Sequence, residues 1–432
     1  MKRQEKHADR QLQWREFIGY LFAAGCTLAV RPVCAQAITA GSTGSSATAA
    51  SSPMKAGTQQ AAGAITLFVC GDVMTGRGID QVLPHPGNPV LYEPYMKSAT
   101  GYVQIAEEAN GPIPKPVDFS CIWGDTLAEL ARVKPDARII NLETSVTQSD
   151  EAESKSINYR MHPANIPCIS AAHIDCCTLA NNHVLDWGHP GLTETLQTLK
   201  TAGIKTAGAG RNLREAAAPA VIPVAGKGRV LVFSFGLETS GIPWSWAATA
   251  DRPGVNRLPD FSAETVRGIH DSIGQVKLPG DIVVASIHWG GNWGYSVPHE
   301  QQEFARQLID EAGVDVVHGH SSHHVKGIEV YQGKPILYGC GDFLNDYEGI
   351  SGHEAYRGDL ALMYFVSMEP LSGNLLRLQM TPMQIRRFRL NRASRSDARW
   401  LENVLNQEGR KFGTGVELNA DNTLALRWAS SA

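Results

Sequence analysis

Six short apolar runs, each followed by glycine, an acid or histidine, constrain this chain most. They are Ile65–Cys70 (ITLFVC), Arg138–Leu142 (RIINL), Val230–Phe235 (VLVFSF), Ile282–Ile287 (IVVASI), Val314–Val317 (VDVV) and Pro335–Tyr338 (PILY). Runs this short and this rich in branched residues read as buried strands, and polar residues just past them place a site at strand ends. Helical patterns fall between. Leu192, Leu196 and Leu199 recur at i, i+4 and i+7 with Gly203 as a C-cap, and Phe304, Leu308 and Ala312 repeat the pattern before Gly313. Such stripes are core-facing surfaces of helices. After Asp359 come two strand-like runs, LALMYFVSM and LLRLQMTPMQI. A helix over Arg395–Gln407 follows, with Trp400, Leu401, Val404 and Leu405 on one face. The pattern predicts an α/β chain, with the Pro- and Gly-rich stretch Pro84–Pro116 as an insertion loop near the site.

The amino terminus has a different character. Lys2, Arg3, Arg10 and Arg15 precede an apolar run from Phe17 to Val30, and Ala35 and Ala37 flank Gln36. Basic, apolar, then small-x-small is the order of a secretory signal peptide, and the run is short for a membrane span, which needs about 20 apolar residues. Residues 1–37 are therefore expected to be a signal peptide, with export to the periplasm or cell envelope. The alternatives are a retained membrane anchor or a lipidated Cys26. Residues 38–64 are nearly all Ala, Gly, Ser and Thr, a flexible linker. The rest, 65–432, is expected to be one domain. A net charge of −4 gives no global basic field for nucleic acid. None of the eight cysteines makes a CxxC pair, so a zinc ribbon is not expected, and disulfide pairings stay open.

Five clusters at predicted strand ends carry the chemistry: Gly71-Asp72-Val73-Met74-Thr75-Gly76-Arg77, Asn141-Leu142-Glu143, Leu179 through Gly188 with Asn181, Asn182, His183 and Asp186, Ile287-His288-Trp289-Gly290-Gly291, and His318 through His324. An isolated Asp after a strand is usually a turn former and an isolated His a hydrogen-bonded structural group. Two carboxylates, an amide and several histidines gathered on one sheet edge are a mixed O and N donor set. Such a set suits Mn²⁺, Fe²⁺ or Zn²⁺ better than Ca²⁺.

The motifs GDVMTGR, NLET, LANNHVLDWGHPGL, TAGIKTAGAGRN, IHWGGNW, GHSSHHVKGIE and LYGCGDF, between Ile65 and Asn345, resemble those of the CapA family in order and spacing. That family is named for poly-γ-glutamate capsule synthesis and is similar to calcineurin-like metallophosphoesterases. The resemblance implies a four-layer αββα sandwich of the metallophosphatase type. It implies metal ligands at Asp72, Glu143, Asn182, His288, His320 and His323, and a proton donor at His183. Met74 stands where the related enzymes have a histidine, and Glu143 where they have an aspartate. Three alternatives therefore stay open for the centre: one divalent ion, two, or a metal-free acid/base pocket. Arg77 could steady a phosphate or carboxylate or serve the fold, and Asn181 and Asp186 are further candidates for substrate contact.

Two functions follow. One is a metal-dependent hydrolase of the envelope acting on a capsule polymer or small phosphoester. The other is a non-catalytic component of a poly-γ-glutamate synthase or export assembly, with membrane partners, that binds the anionic polymer.

Overall fold

The computed structural model describes residues 63–429. The signal-peptide and linker segments fall outside the described residues, apart from Gly63 and Ala64.

Each apolar run is a strand. A ten-stranded sheet contains β1 (Ile65–Val73), β2 (Ala137–Leu142), β3 (Cys176–Thr178) and β4 (Lys205–Ala207), which lie side by side in that order and run parallel. A six-stranded sheet contains β5 (Ala220–Val224), β6 (Gly228–Gly236), β7 (Ile282–His288), β8 (Val316–His320), β9 (Ile328–Tyr331) and β10 (Lys334–Leu337), with β6, β7, β8 and β10 parallel. The chain then returns to the first sheet through β11 (Asp342–Leu344), which pairs parallel with the end of β1. The strands β12 (Leu360–Met368) and β13 (Leu375–Ile385) follow, antiparallel, with β12 on the edge of β1 away from β2, as β11 is. The protein is thus a mixed α/β structure built on several mixed sheets. No described helix is long and apolar enough to cross a membrane.

Strand periodicity explains the core. On β1, Leu67 and Val69 join a buried cluster that also holds Val230, Val232, Val284 and Val316 of the six-stranded sheet. The alternate residues Phe68 and Cys70 join a second cluster, with Val103 and Ala106 of α1 (Thr100–Asn110) and Leu130 of α2 (Thr126–Val133). On the six-stranded sheet, Leu231, Phe233 and Val283 face the opposite way, toward Val266, Ile269, Phe304 and Leu308 of the helices at 263–274 and 299–310. Successive side chains point to opposite faces. Burying one Val, Leu or Phe contributes about 1.5–3 kcal/mol, so a one-residue slip in register would expose several such groups at once. The stretch Pro84–Pro116 is less irregular than expected, since it carries α1.

Two local features aim the site. β1 has one extra residue against β2, because Val69 pairs with Ile139 but Asp72 with Asn141. Such a bulge redirects the side chain beside it. Gly71 is required there because a Cβ would lie 1.6 Å from the Gly341 carbonyl oxygen. The two Gly-Asp pairs, Gly71-Asp72 and Gly341-Asp342, therefore run side by side, the Asp72 amide donating to the Gly341 carbonyl oxygen at 3.0 Å.

Candidate metal centre

The carboxyl ends of the parallel strands in both large sheets converge on one buried cluster. Asp72, at the end of β1, is wholly buried. Its Oδ1 accepts from Asn141 Nδ2 at 2.6 Å and its Oδ2 from the Ser321 amide at 3.0 Å. Ser321 makes that contact from a backbone with φ of 99°, outside the comfortable range for a residue with a side chain. Such strain is tolerated where surrounding structure holds it, commonly at functional sites. Candidate ligand atoms of Asp72, His288 and His320 all lie within 4.8 Å of one another.

The neighbouring groups fix how these side chains present their lone pairs. His318 Nε2 lies 2.7 Å from the Cys70 carbonyl oxygen, which can only accept. His318 is neutral, its pKa pushed down to about 4 by burial, so its Nδ1 must accept, and it does so from Ser286 Oγ at 3.1 Å. The Ser286 proton is shared between His318 Nδ1 and Thr178 Oγ1, 3.2 Å away, so toward His320 Nε2 at 2.9 Å Ser286 Oγ accepts. His320 Nδ1 is left bare, 3.7 Å from Asp72 Oδ1 and 2.8 Å from His288 Nδ1. His288 Nε2 meets the Asn182 amide oxygen at 3.0 Å, so its Nδ1 is bare as well. Two facing lone pairs call for a shared cation. Burial, with repulsion from neighbouring histidines, holds both pKa values well below the usual histidine range.

Glu143 completes the acceptor set. Its Oε1 is 3.8 Å from both His183 Nε2 and His288 Nε2, and its buried Oε2 has no hydrogen-bond partner among the described residues. An orphaned carboxylate oxygen in a dry site is costly unless a cation or proton satisfies it. Burial and the charges of Asp72 and Asp342 raise the Glu143 carboxyl well above its usual range, and burial with Asp342 raises Asp72. The donor set therefore fits a divalent metal held by Asp72, His288 and His320, with Glu143 and Asn182 alongside.

His323 lies outside that triad. Its Nδ1 is 2.8 Å from Asp342 Oδ1, and Asn345 Nδ2 donates to Asp342 Oδ2 at 2.8 Å. Asp342 carries no role in the sequence analysis. The signal for it was the second Gly-Asp pair. His318, too, was available as the alternate residue before His320 on one strand.

His183 and Asp186 form a dyad. Nδ1 of the ring meets Asp186 Oδ2 at 2.6 Å, which leaves Nε2 directed at Glu143. Lys155 closes the turn, donating to Asp186 Oδ1 at 2.7 Å and to the Asn182 carbonyl. Burial, with Lys155 nearby, pushes the His183 pKa down to about 4 against the opposing pull of Asp186. The expected substrate contacts are thus placed otherwise: Asp186, fully buried, faces His183, and Asn181 ties Asn141 and the Leu142 carbonyl to the His183 amide. Arg77 is also buried, bonded to Asp346 at 3.1 and 2.5 Å and to Glu93 at 3.0 Å. Its guanidinium lies over the rings of Tyr102 and Tyr159. Tyr159 in turn packs edge-on against His183 with centroids 4.5 Å apart.

A family model described as bacterial capsule synthesis protein PGA_cap matches residues 66–347, which span all of these groups. The chain belongs to that family. Among its PGA_cap relatives, a probable polyglutamine synthesis accessory protein of Mycobacterium tuberculosis is 50% identical over 366 residues, 84% of this chain and 96% of the relative. The capsule biosynthesis protein CapA of Bacillus anthracis is 24% identical over 65% of this chain and 60% of its own length. The PGA biosynthesis protein CapA of Bacillus subtilis is 27% identical over 64% and 62%. The family match ends near Tyr347, so β12, β13 and the C-terminal helix lie beyond it, while every candidate ligand lies inside.

Proposed function

We propose that this PGA_cap protein is a metal-dependent hydrolase of the cell envelope, linked to poly-γ-glutamate capsule synthesis and acting on a capsule or envelope polymer or a phosphoester. The observation that carries this reading is the pairing of a dry acceptor cluster, with Glu143 Oε2 unsatisfied, and a histidine-aspartate dyad aimed at it. We further propose that the two large sheets face each other with helices outside, as an αββα sandwich. Support comes from the buried cluster shared by both sheets and the helix-lined clusters on their other faces.

A divalent ion bound by Asp72, His288 and His320 supplies Lewis-acid polarisation and lowers the pKa of water. The protein's own groups do the rest. Asn141 and the Ser321 amide orient the Asp72 carboxylate, and Ser286 and His318 hold the His320 tautomer. His183, kept as the Nδ1–H form by Asp186 and neutral at rest, would accept at Nε2 the proton released by the attacking water and pass it to the leaving group. Export by residues 1–37 belongs to the same proposal, and a mature protein beginning near Ile38 is its expected product.

The second reading is a binding component of a synthase or export assembly. The word "accessory" in the name of the Mycobacterium tuberculosis relative favours it. Metal analysis of the purified full-length and Asp72→Ala proteins, with turnover on aryl phosphates and on poly-γ-glutamate, separates the two. Metal-dependent turnover lost in Asp72→Ala supports the hydrolase. Polymer binding with no turnover, in a protein shown to carry metal, supports the assembly component.

A further inference from the structure

The motif that supplies His320 and His323 continues to a lysine the metal centre does not use. Lys326 keeps only 5% of its exposure, and its stem packs at the Gly339 backbone, where an added Cβ would come within 3.0 Å of Lys326 Cγ. Other partly buried lysines have carboxylate partners: Lys155 with Asp186, Lys227 with Asp136, and Lys277 and Lys334 with Asp315. Lys326 is more buried than these, yet among the described residues its ammonium has no ion pair. What acts on it is burial and the repulsion of Lys411, which together lower its pKa to about 8. A buried, uncompensated ammonium is destabilising, and proteins rarely keep one without a use.

Its surroundings are cationic and aromatic. Lys411, with a side chain 39% exposed, lies 3.0 Å from Glu408 Oε2, so the one carboxylate at the rim is taken by Lys411 and, among the described residues, none is paired with Lys326. Lys411 also reaches the Tyr295 carbonyl oxygen at 3.4 Å. The Tyr295 ring packs on His324 at 4.7 Å, and His324 packs on Tyr356 at 4.6 Å. Burial keeps His324 neutral, its pKa pushed down to about 4. Trp293 bridges this group to the metal-centre side, 5.3 Å from the His323 ring and 5.4 Å from Tyr356.

We propose that Lys326, with Lys411 at its rim, forms a second anion subsite that takes a carboxylate or phosphate group of the same ligand that reaches the metal centre. The proposal rests on the reading of the substrate as anionic. It adds to that reading a reason for the unpaired lysine: a ligand with repeated charges engages two places at once, and its anion supplies the partner the fold withholds. The ammonium is desolvated in advance, so a charge-assisted bond to an entering anion is stronger there than at an exposed lysine.

The test uses the full chain, stripped of metal with a chelator so that binding does not depend on the metal centre. Two probes are titrated by calorimetry: a short γ-linked glutamate oligomer and inorganic phosphate. Lys326→Met keeps the stem and removes the charge. It is expected to weaken oligomer binding by about tenfold or more, while Lys326→Arg stays within about threefold, and the melting temperature of Lys326→Met is equal to or above that of the wild type. Tighter binding of the oligomer than of phosphate identifies the polymer's carboxylates as the source of the anion. Equal binding of both identifies a general anion subsite. Wild-type affinity in Lys326→Met overturns the proposal, as does a wild-type chain that binds neither probe. If Lys326→Met fails to fold, Lys411→Ala decides, because its side chain is exposed: unchanged affinity overturns the subsite. Metal content and turnover of the untreated protein are read separately, so failure of the subsite leaves the hydrolase reading standing, and the reverse.

Discussion

His320 Nδ1 and His288 Nδ1 face each other at 2.8 Å, both rings buried, while their Nε2 atoms meet Ser286 Oγ and the Asn182 amide oxygen; in the tautomers those partners favour, neither Nδ1 carries a proton. The first prediction follows from how that state is maintained. His320→Ala removes a donor atom and is expected to abolish stoichiometric metal. Ser286→Ala removes the hydroxyl that joins His318, His320 and Thr178 and leaves every candidate ligand in place. Its metal affinity is expected to fall about 10- to 100-fold, the usual effect of losing an outer partner of a ligand. Competition against a chelator measures both. Wild-type affinity in Ser286→Ala would refute the tautomer relay while leaving the triad intact.

The second prediction concerns pH. Asp72 is held above the ordinary carboxylate range by burial and the charge of Asp342, and Glu143 by burial and the charges of Asp72 and Asp342, whereas His288 and His320 are held below the histidine range. A metal needs the carboxylates ionised and the imidazoles neutral. The histidines already meet that condition near neutral pH, so the protons displaced by metal come from the carboxylates. A raised carboxyl stays protonated further up the scale, so affinity is weakest on the acid side and rises with pH toward neutrality. Calorimetry in buffers of different ionisation enthalpy should show net proton release. Proton uptake, or an affinity that falls as pH rises, contradicts the assignment.

Much of this was legible before the fold was known, for a physical reason. Asp72, Glu143, His288 and His320 each end or follow a strand that announces itself by an apolar run, whereas Asn182 and His183 stood out only by their motif, LANNHVLDWG. Their role as a group needed only the rule that parallel strand ends share an edge. The groups that tune them were not legible. Lys155 lies in the polar stretch Asp150–Asn158, which has no periodicity, and Arg77 meets Asp346 across 269 positions of chain. Strands such as Cys176–Thr178 and Lys205–Ala207 were missed because three residues give no pattern. The meeting of two sheets, which sets Asn182 against His288, is a property of packing that no single segment carries.

The third prediction settles what Arg77 does. Its partners Asp346 and Glu93 are both buried, and each loses its counter-charge if the guanidinium is removed. Breaking a buried pair in this way typically costs about 3–5 kcal/mol. Arg77→Met is therefore expected to lower the melting temperature sharply, with KM for an anionic substrate unchanged in whatever fraction remains folded. A variant of normal stability with a raised KM would instead place Arg77 in substrate binding.

The last prediction separates proton transfer from ligation at His183. The ring bonds Asp186 through Nδ1 and turns Nε2 toward Glu143 at 3.8 Å, while its neighbour Asn182 directs its amide oxygen at His288. In the proposed mechanism these adjacent residues of one turn take different tasks, Asn182 with the metal triad and His183 with the leaving group. His183→Ala should keep both fold and metal while lowering turnover by about 100- to 10,000-fold, the range of general acid–base catalysis. Asp186→Asn tests the same assignment from behind. An amide can still accept from Nδ1–H, but it carries no charge to stabilise the protonated ring, so turnover should drop without loss of metal. In both variants the deficit should shrink on aryl phosphates whose leaving groups need little protonation. An equal deficit on good and poor leaving groups argues against proton delivery at Nε2. Metal loss in His183→Ala would make the residue a ligand. Full activity in that variant would take the dyad out of the mechanism and leave polymer binding as the function of the site.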